Sequence, residues 1–208
     1  MSRNQEILDI LQLSYPDAKP ELNYTNAYEL LVAVILSAQC TDKRVNQVTP
    51  ALFERYPDVY SMAQAEQSDV EDIIRSCGFF RNKSANIISA SKKIVSDHDG
   101  RVPSTVEELM SLPGVGKKTA NVMYSVAFGG DAIAVDTHVF RVSRRLGLSN
   151  GKNPLQVEED LNKVIPKSLW GHAHHLLIFH GRRVCHSRSP ECEKCRLQDL
   201  CVFYKEKK

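Results

Sequence analysis

Four cysteines near the C-terminal end constrain the folding of this chain more than any other feature. Cys185, Cys192, Cys195 and Cys201 follow the spacing C-x6-C-x2-C-x5-C, which is too compact for a regular helix or strand throughout. Four thiolates this close together can enclose one metal centre, and ligation by four cysteines suits an iron–sulfur cluster or zinc. Zinc sites more often use two C-x2-C pairs, and this sequence has one such pair. The spacing therefore favours a [4Fe–4S] cluster, with zinc as the alternative.

Two disulfide bonds are a further explanation of the four cysteines, but they would need an oxidising compartment. The N-terminal sequence MSRNQE has no signal-peptide pattern, so we expect a reducing environment. Cys40 and Cys77 are then expected to be reduced thiols that behave as small hydrophobic side chains. The four histidines between His172 and His180 have no nearby carboxylate, and we interpret them as packing residues rather than metal ligands.

A nine-residue stretch, LPGVGKKTA at positions 112–120, predicts a tight hairpin between two helices. Gly114 and Gly116 are expected to take backbone angles that other residues avoid, which leaves amide groups pointing outward as a nest for a phosphate. The hairpin places Lys117 and Lys118 in the first turn of the next helix, where the helix dipole and the neighbouring ammonium group disfavour the protonated amine. A lysine in this position is a candidate nucleophile. An ordinary turn with solvated lysines is the alternative.

Composition and charge narrow the class of protein. A chain of 208 residues with 42% hydrophobic content can form one compact domain or two small ones. Its longest purely apolar run, residues 30–36, is far shorter than the roughly 20 residues of a membrane span, so no membrane role is expected. Residues 141–208 carry 14 Lys and Arg against 7 Asp and Glu, whereas residues 1–140 carry 13 against 18. The C-terminal third is therefore the part expected to attract a polyanion.

Apolar residues recur mainly at intervals of three and four, which predicts an all-α fold. Two Ser-x-x-Glu patterns, Ser68 with Glu71 and Ser104 with Glu107, predict helix starts near residues 69 and 105. The other helices are predicted at 3–14, 27–38, 43–55, 83–97, 118–128, 137–147, 155–164 and 170–182.

Four motifs in order along the chain resemble those of the endonuclease III family, which are helix-hairpin-helix DNA glycosylases with an associated AP-lyase activity. The motifs are LSAQCTD at 36–42, LPGVGKKTAN at 112–121, AVDTH at 134–138, and HGR at 180–182 before the four cysteines. The resemblance covers nearly the whole chain. It implies a six-helix domain at 21–130 and an iron–sulfur domain formed by 1–20 with 131–208, with DNA lying across the cleft between them.

The resemblance also implies roles for individual residues. Lys118 matches the lysine that forms a Schiff base with the sugar, and Asp136 matches the catalytic aspartate. The residues implied to contact DNA are Gln39, Phe79, Gly114, Val115, Gly116, Lys117 and Arg188, while Asp42 and His138 are possible pocket residues. Gln39 would fill the space left by a flipped base, and Phe79 would wedge into the opposite strand, where the family usually has the smaller Leu.

Structural roles are the alternatives for several of these residues. Asp136 is an equally good N-cap for the helix that follows it, and Asp42 could also be a cap. Phe79 could be a core residue, and Gln39 could simply be a polar helix end.

The function implied is base-excision repair by a bifunctional glycosylase and AP lyase that removes oxidised pyrimidines and cleaves the 3′ side by β-elimination. Its partner would be double-stranded DNA containing damaged pyrimidines or abasic sites. We expect a cytoplasmic monomer, associated with the nucleoid if the source is bacterial. A monofunctional adenine-type glycosylase and a non-catalytic iron–sulfur DNA-binding protein are the alternatives.

Overall fold

The fold was analysed in a computed structural model that describes residues 2–206. Within this range the chain forms twelve α-helices and three short 3-10 helices, and no strand. The all-α prediction is therefore confirmed. No helix in the same range is long and apolar enough to cross a membrane. The α-helices are α1 (Arg3–Ser14), α2 (Ala27–Ser37), α3 (Asp42–Arg55), α4 (Val59–Ala63), α5 (Gln67–Ile74), α6 (Phe80–Asp97), α7 (Val106–Met110), α8 (Lys117–Phe128), α9 (Thr137–Leu146), α10 (Pro154–Val164), α11 (Trp170–Arg183) and α12 (Val202–Lys205).

The chain divides into two compact units. One unit is residues 21–129, and the other combines the described residues up to Pro20 with those from Gly130 onward. The boundaries expected from the resemblance, after residues 20 and 130, differ from these by one residue at most.

The unit at 21–129 contains seven α-helices, α2 to α8, where the resemblance implied six. Helix α2 forms the centre of its core, since residues 30–36 are all buried, and it packs against α3, α6 and α8. The additional helix is the five-residue α4. The Asp58 carboxylate accepts a hydrogen bond of 2.7 Å from the amide of Ser61 and so starts α4.

The other unit is built on the packing of α9 against α11. Helix α1 packs against α11, while α10 and α12 pack against α9. The N-terminal helix therefore shares a hydrophobic core with the C-terminal part of the chain, to which Ile7, Leu11, Val139 and Leu176 contribute buried side chains.

Most predicted helices lie within a residue or two of the observed ones, but both capping predictions were wrong. Ser68 lies inside α5, which begins at Gln67 without a capping side chain. Helix α7 is capped by Thr105 rather than Ser104, because the Thr105 hydroxyl accepts from the Glu108 amide at 3.3 Å and donates to its carboxylate at 2.8 Å. Ser104 with Glu107 and Thr105 with Glu108 both place a hydroxyl residue three positions before a glutamate. The pattern alone therefore could not identify the capping pair.

Candidate functional site

The hairpin between α7 and α8 has one glycine that its backbone requires and one that it does not. Gly114 has a φ of +79°, and a Cβ there would lie 2.8 Å from the Cβ of Asn86, so a larger residue is disfavoured twice. Gly116 has a φ of −92° and a ψ of 178°, an extended conformation open to any residue. The expectation that both glycines take unusual angles was therefore wrong for Gly116. Val115 between them is buried and anchors the hairpin to the core.

Gly116 nevertheless occupies a position where a side chain would matter. It is the N-cap residue of α8, and it provides no side-chain acceptor for the amides of the first turn. A Cβ at Gly116 would meet no atom within 4 Å. The N-terminal end of α8 is therefore open to an approaching anion, as the phosphate-nest interpretation requires.

Lys117 and Lys118 are the first two residues of α8. Lys118 is exposed and Lys117 is partly buried. Ala120 and Met123 on the same helix are fully buried, so α8 packs into its unit through those residues while the Lys118 side chain reaches solvent. The predicted position in the first helical turn is confirmed, and the lysine that matches the Schiff-base lysine is the more accessible of the two.

Asp136 begins α9 in the other unit. Its Oδ1 atom accepts hydrogen bonds of 2.8 Å from the backbone amides of both His138 and Val139. The N-cap role that the sequence offered as an alternative is therefore present in the structure. Both capping bonds use Oδ1. The cap therefore does not occupy Oδ2, which can take part in a reaction.

His138 lies in a hydrogen-bonded setting rather than an open one. Its Nδ1 atom is 3.1 Å from a guanidinium nitrogen of Arg141, whose side chain also donates to the carbonyls of Gly181 and Cys185 at 3.0 and 3.1 Å. Burial lowers the pKa of His138, the charge of Asp136 opposes that shift, and Arg141 adds to it. A neutral imidazole that accepts from Arg141 fits both observations.

Gln39 and Phe79 are exposed residues in the left-handed region of backbone space, with φ values of 52° and 58°. Non-glycine residues adopt this conformation at an energetic cost and are found more often at functional sites. A Cβ at Gly78 would lie 3.4 Å from the carbonyl oxygen of Gln39, so the two turns are neighbours. The Phe79 side chain is 63% exposed, which excludes the core role considered for it.

Asp42 is the first residue of α3, and it is not the cap of that helix. The cap is Thr41, whose hydroxyl accepts from the amide of Arg44 at 3.2 Å. The capping alternative for Asp42 is therefore wrong, because the N-cap position lies one residue earlier.

The four C-terminal cysteines line a single cavity of about 340 Å³, a volume that includes space open to solvent. All six cysteines of the chain are free thiols, so the disulfide explanation has no support in the structure. Burial raises the pKa values of the Cys195 and Cys201 thiols. Among the described residues, no three His, Cys, Asp or Glu side chains are arranged as ligands of a single ion. Four sulfurs around one cavity are a donor set that fits a cluster.

Two side chains that the sequence analysis did not connect with the cysteines lie against these sulfurs. Arg145 donates to the sulfur of Cys185 at 3.4 Å and to the carbonyls of His186 and Ser187 at 2.7 and 2.9 Å. The Nε2 atom of His180 is 3.8 Å from the sulfur of Cys195. The sequence shows many basic residues after position 140 and four histidines before the cysteines, but only the packing of α9 and α11 against the cysteine segment assigns these contacts.

Arg188 is exposed on the loop between Cys185 and Cys192. The loop is held by the two carbonyl hydrogen bonds from Arg145 and by the contact of 3.6 Å between His186 Nε2 and a carboxylate oxygen of Glu191. The structure therefore presents Arg188 from a restrained loop, which suits a phosphate contact.

Comparisons with known proteins agree with this geometry. A family model described as "HhH-GPD superfamily base excision DNA repair protein" matches residues 32–167. The chain is 52% identical over 200 residues to endonuclease III of Synechocystis sp., covering 96% of this chain and 91% of that protein. It is 50% identical over 197 residues to endonuclease III of Bacillus subtilis, covering 93% and 89%. It is also similar to the solved structure of a trapped endonuclease III–DNA covalent intermediate, with a TM-score of 0.93, 47% identity, and coverage of 100% of this chain and 99% of the other.

Proposed function

Because the chain belongs to the HhH-GPD superfamily of base excision DNA repair proteins, and within it to the endonuclease III family, we propose that it excises damaged bases through Lys118. Its activity is that of a DNA glycosylase with an associated AP lyase. The observation that carries the assignment to Lys118 is its exposed position in the first turn of α8, directly after the Pro-Gly-Val-Gly hairpin.

The chemistry begins when the neutral Lys118 amine attacks C1′ of the damaged nucleotide. The bond from the amine nitrogen to C1′ forms as the bond from C1′ to the base breaks, and the base leaves with the bonding electrons and takes up a proton while the amine loses one. The C1′–O4′ bond then breaks as O4′ takes up a proton, which leaves a protonated imine whose positive charge acidifies the C2′ hydrogens. Loss of one C2′ proton breaks the C3′–O bond and releases the 3′ phosphate by β-elimination. Asp136 supports these steps by accepting a proton or by stabilising positive charge on the sugar.

Access to C1′ requires the damaged nucleotide to leave the base stack, and the protein has to offset the cost of unstacking. We assign that role to the adjacent Gln39 and Phe79 turns, since both side chains are exposed and both backbones are held in an uncommon conformation. Gln39 would occupy the space that the flipped base leaves, and Phe79 would wedge into the opposite strand. Phosphates of the DNA backbone would be held by the hairpin amides, Lys117 and Arg188. Asp42 and His138 are candidate pocket residues.

The cysteine-lined cavity would hold a [4Fe–4S] cluster through Cys185, Cys192, Cys195 and Cys201. Zinc is the less favoured occupant, because no three of the described side chains are arranged to bind a single ion. Such a group would supply strong sulfur–metal bonds that join the irregular C-terminal segment to the helical unit. Arg145 would donate to one ligating sulfur while it holds the loop that carries Arg188. We propose a structural role for the four cysteines and Arg145. The reaction described above does not involve the cluster.

The substrate proposed is double-stranded DNA that contains an oxidised or ring-saturated pyrimidine or an abasic site. The protein would act as a monomer, in the cytoplasm and at the nucleoid of a bacterial cell. The close relatives that support this proposal are themselves named endonuclease III, which places the adenine-type glycosylase and the non-catalytic DNA binder second.

Borohydride trapping tests the proposal most directly. A duplex with one thymine glycol and a duplex with one abasic site would be incubated with borohydride and wild type, Lys118→Ala or Lys117→Ala. We expect a covalent adduct with wild type and with Lys117→Ala, because Lys117 is proposed to contact a phosphate and not to attack the sugar. We expect none with Lys118→Ala, which removes the attacking amine.

An adduct that persists in Lys118→Ala would refute the assignment of the nucleophile. Binding without any adduct on either duplex would favour a hydrolytic glycosylase or a non-catalytic DNA-binding protein instead.

A further inference from the structure

A buried lysine lies beneath the two turns that carry Gln39 and Phe79. Lys83 is in the first turns of α6, and only 5% of its surface is exposed. Its Nζ atom donates a hydrogen bond of 2.8 Å to the carbonyl of Leu36, at the end of α2. Its own backbone amide donates to the carbonyl of Phe79 at 3.0 Å. The backbone bond is the ordinary first helical bond of α6, so it is the side chain of Lys83 that joins the start of α6, and with it the Phe79 turn, to the end of α2 before Gln39.

The hydrogen bond to Leu36 completes the end of α2. The last carbonyls of a helix have no partner within the helix and must be satisfied in other ways. Here the acceptors at Val34, Ile35 and Ser37 receive bonds from the hydroxyl of Ser37 and from the amides of residues 38 and 40. The acceptor at Leu36 receives the ammonium group of Lys83. A positive charge at a helix C-terminus also interacts favourably with the negative end of the helix dipole.

Burying a lysine costs free energy unless its ammonium group is paired and hydrogen-bonded. The electrostatic neighbours of Lys83 include Cys40 and Cys77, the residues directly after Gln39 and directly before Gly78. Burial lowers the pKa of Lys83, and these two cysteines oppose that shift. Burial also raises the pKa of the Cys77 thiol to about 11, with a hydrogen bond that this thiol donates to Cys40 adding to the shift. The lysine thus lies near two cysteines and a carbonyl, with no carboxylate among the described groups that shift its pKa, where an apolar residue of the same length would be less costly to bury.

The two turns have to hold their shape against DNA. Both Gln39 and Phe79 have backbone angles that relax readily to commoner ones unless the surroundings fix them. An inserted side chain stabilises a flipped nucleotide only if its position is set before the DNA arrives. The Leu36 carbonyl lies three residues before Gln39, and the Phe79 carbonyl belongs to the wedge residue itself.

We propose that Lys83 is a positioning residue that fixes the Gln39 and Phe79 turns relative to each other, so that both side chains enter the duplex together. The proposal rests on the function proposed above for these two turns. It assigns Lys83 no contact with DNA. The lysine acts through the end of α2 and the start of α6.

Lys83→Met tests the proposal, because methionine keeps the length and buries well but cannot donate to Leu36. We expect only a small change in melting temperature, because the unpaired Leu36 carbonyl destabilises the variant while the apolar side chain is less costly to bury. The single-turnover rate on a thymine glycol duplex should fall on the order of ten- to a hundred-fold, as expected for a small displacement of positioned groups. Affinity for undamaged DNA, which depends on phosphate contacts, should not change. Lys83→Arg keeps a cationic donor and should recover part of the rate.

Lys92→Met is the matched control, since Lys92 is exposed on the same helix and has no proposed contact with either turn. It should leave the rate, the melting temperature and the affinity for undamaged DNA unchanged.

A double-mutant cycle separates positioning from general weakening. If Lys83 acts through Gln39, the double variant Lys83→Met, Gln39→Ala should be no slower than the slower of the two single variants. Losses that multiply would overturn the proposal, as would a Lys83→Met enzyme with the wild-type rate. If Lys83→Met does not fold, Lys83→Gln is measured by the same criteria, and failure of both to fold would show that the lysine supports the fold rather than the turns.

The single variants also distinguish the two levels of the argument. A wild-type enzyme that is active while Gln39→Ala has no effect would refute the role proposed for Gln39, and the role of Lys83 would fall with it. Loss in Gln39→Ala together with multiplying losses in the double variant would refute the role of Lys83 alone.

Discussion

A single carboxylate, that of Asp136, combines a structural role with a proposed catalytic one. One of its oxygens accepts two amide hydrogen bonds at the start of α9, so the cap holds the carboxylate in a fixed orientation. Fixed orientation is also what a group needs to stabilise charge that develops during a reaction. The two roles can therefore be separated by a substitution that preserves the cap and removes the charge.

Asp136→Asn should keep the free energy of unfolding close to wild type, because asparagine caps a helix as well as aspartate does. The rate of base removal should nevertheless fall by about 10² to 10⁴, the usual contribution of a positioned acid or base. Asp136→Ala should lose the rate and also about 1 kcal/mol of stability. Urea unfolding and single-turnover rates measured side by side provide the check. An asparagine variant as unstable as the alanine variant would mean that the charge is needed for the fold.

Residue types predicted local positions in the fold better than they predicted backbone conformation. The sequence correctly located Lys118 at a helix start, Asp136 at a cap and Gly114 in a tight turn, because each of these positions leaves a local signature. It gave no sign that Gln39 and Phe79 would be left-handed, and it did not single out Lys83. These features depend on which segments meet in three dimensions, and Gln39 and Phe79 are 40 residues apart in the sequence.

The hairpin joining α7 to α8 shows how one short element divides its tasks. Gly114 serves the fold, because its left-handed backbone and the contact with Asn86 exclude a side chain. Gly116 serves the surface, because its backbone is ordinary and a side chain would point into open space. Glycines with the same appearance in the sequence are therefore expected to fail in different ways when they are replaced.

Gly114→Ala should lower the free energy of unfolding by about 1–2 kcal/mol, the cost of a left-handed L-residue, with the Asn86 contact adding to it. Gly116→Ser should leave stability unchanged or raise it, because serine is a good N-cap. The same hydroxyl would accept from the α8 amides that are proposed to bind a phosphate, so DNA affinity should fall. Thermal unfolding and binding to an undamaged duplex measure the two effects. A Gly116→Ser variant with wild-type affinity would contradict the phosphate site.

The longer helices were predictable from periodicity, whereas of the two five-residue helices α7 was located only through a capping pattern and α4 was not predicted. Helix α4 has five residues and too few apolar positions to show a period, although its capping pair was visible in the sequence. The cysteine segment was correctly predicted to be irregular overall, but its 3-10 turns at Cys192–Lys194 and Gln198–Leu200 follow from local hydrogen bonds that spacing does not reveal.

Charge is distributed unevenly over the whole molecule. The two structural units nevertheless differ less in net charge than residues 1–140 and 141–208 do. Residues 21–129 carry 11 Lys and Arg against 13 Asp and Glu, and the remainder of the chain carries 16 against 12. The unit with the cysteines is still the positive one, although α1 and the segment before α9 add acidic residues to it. That α1 belongs to this unit was implied by the resemblance, and no local pattern in the N-terminal sequence could have indicated it.

A phosphate contact by Arg188 would appear as a change in salt dependence. Each phosphate that a cationic side chain neutralises releases condensed counterions, so Arg188→Ala should reduce the slope of log affinity against log salt by about one. The loss should be equal for damaged and undamaged duplexes, because a phosphate contact carries no information about the base. Lys163→Ala is the control, since Lys163 is exposed on α10 beside Asp160 and should leave the slope unchanged. An unchanged slope in Arg188→Ala would mean that the loop restrained by Arg145 does not reach the DNA backbone, whereas a loss confined to damaged duplexes would mean that Arg188 acts at the flipped nucleotide instead.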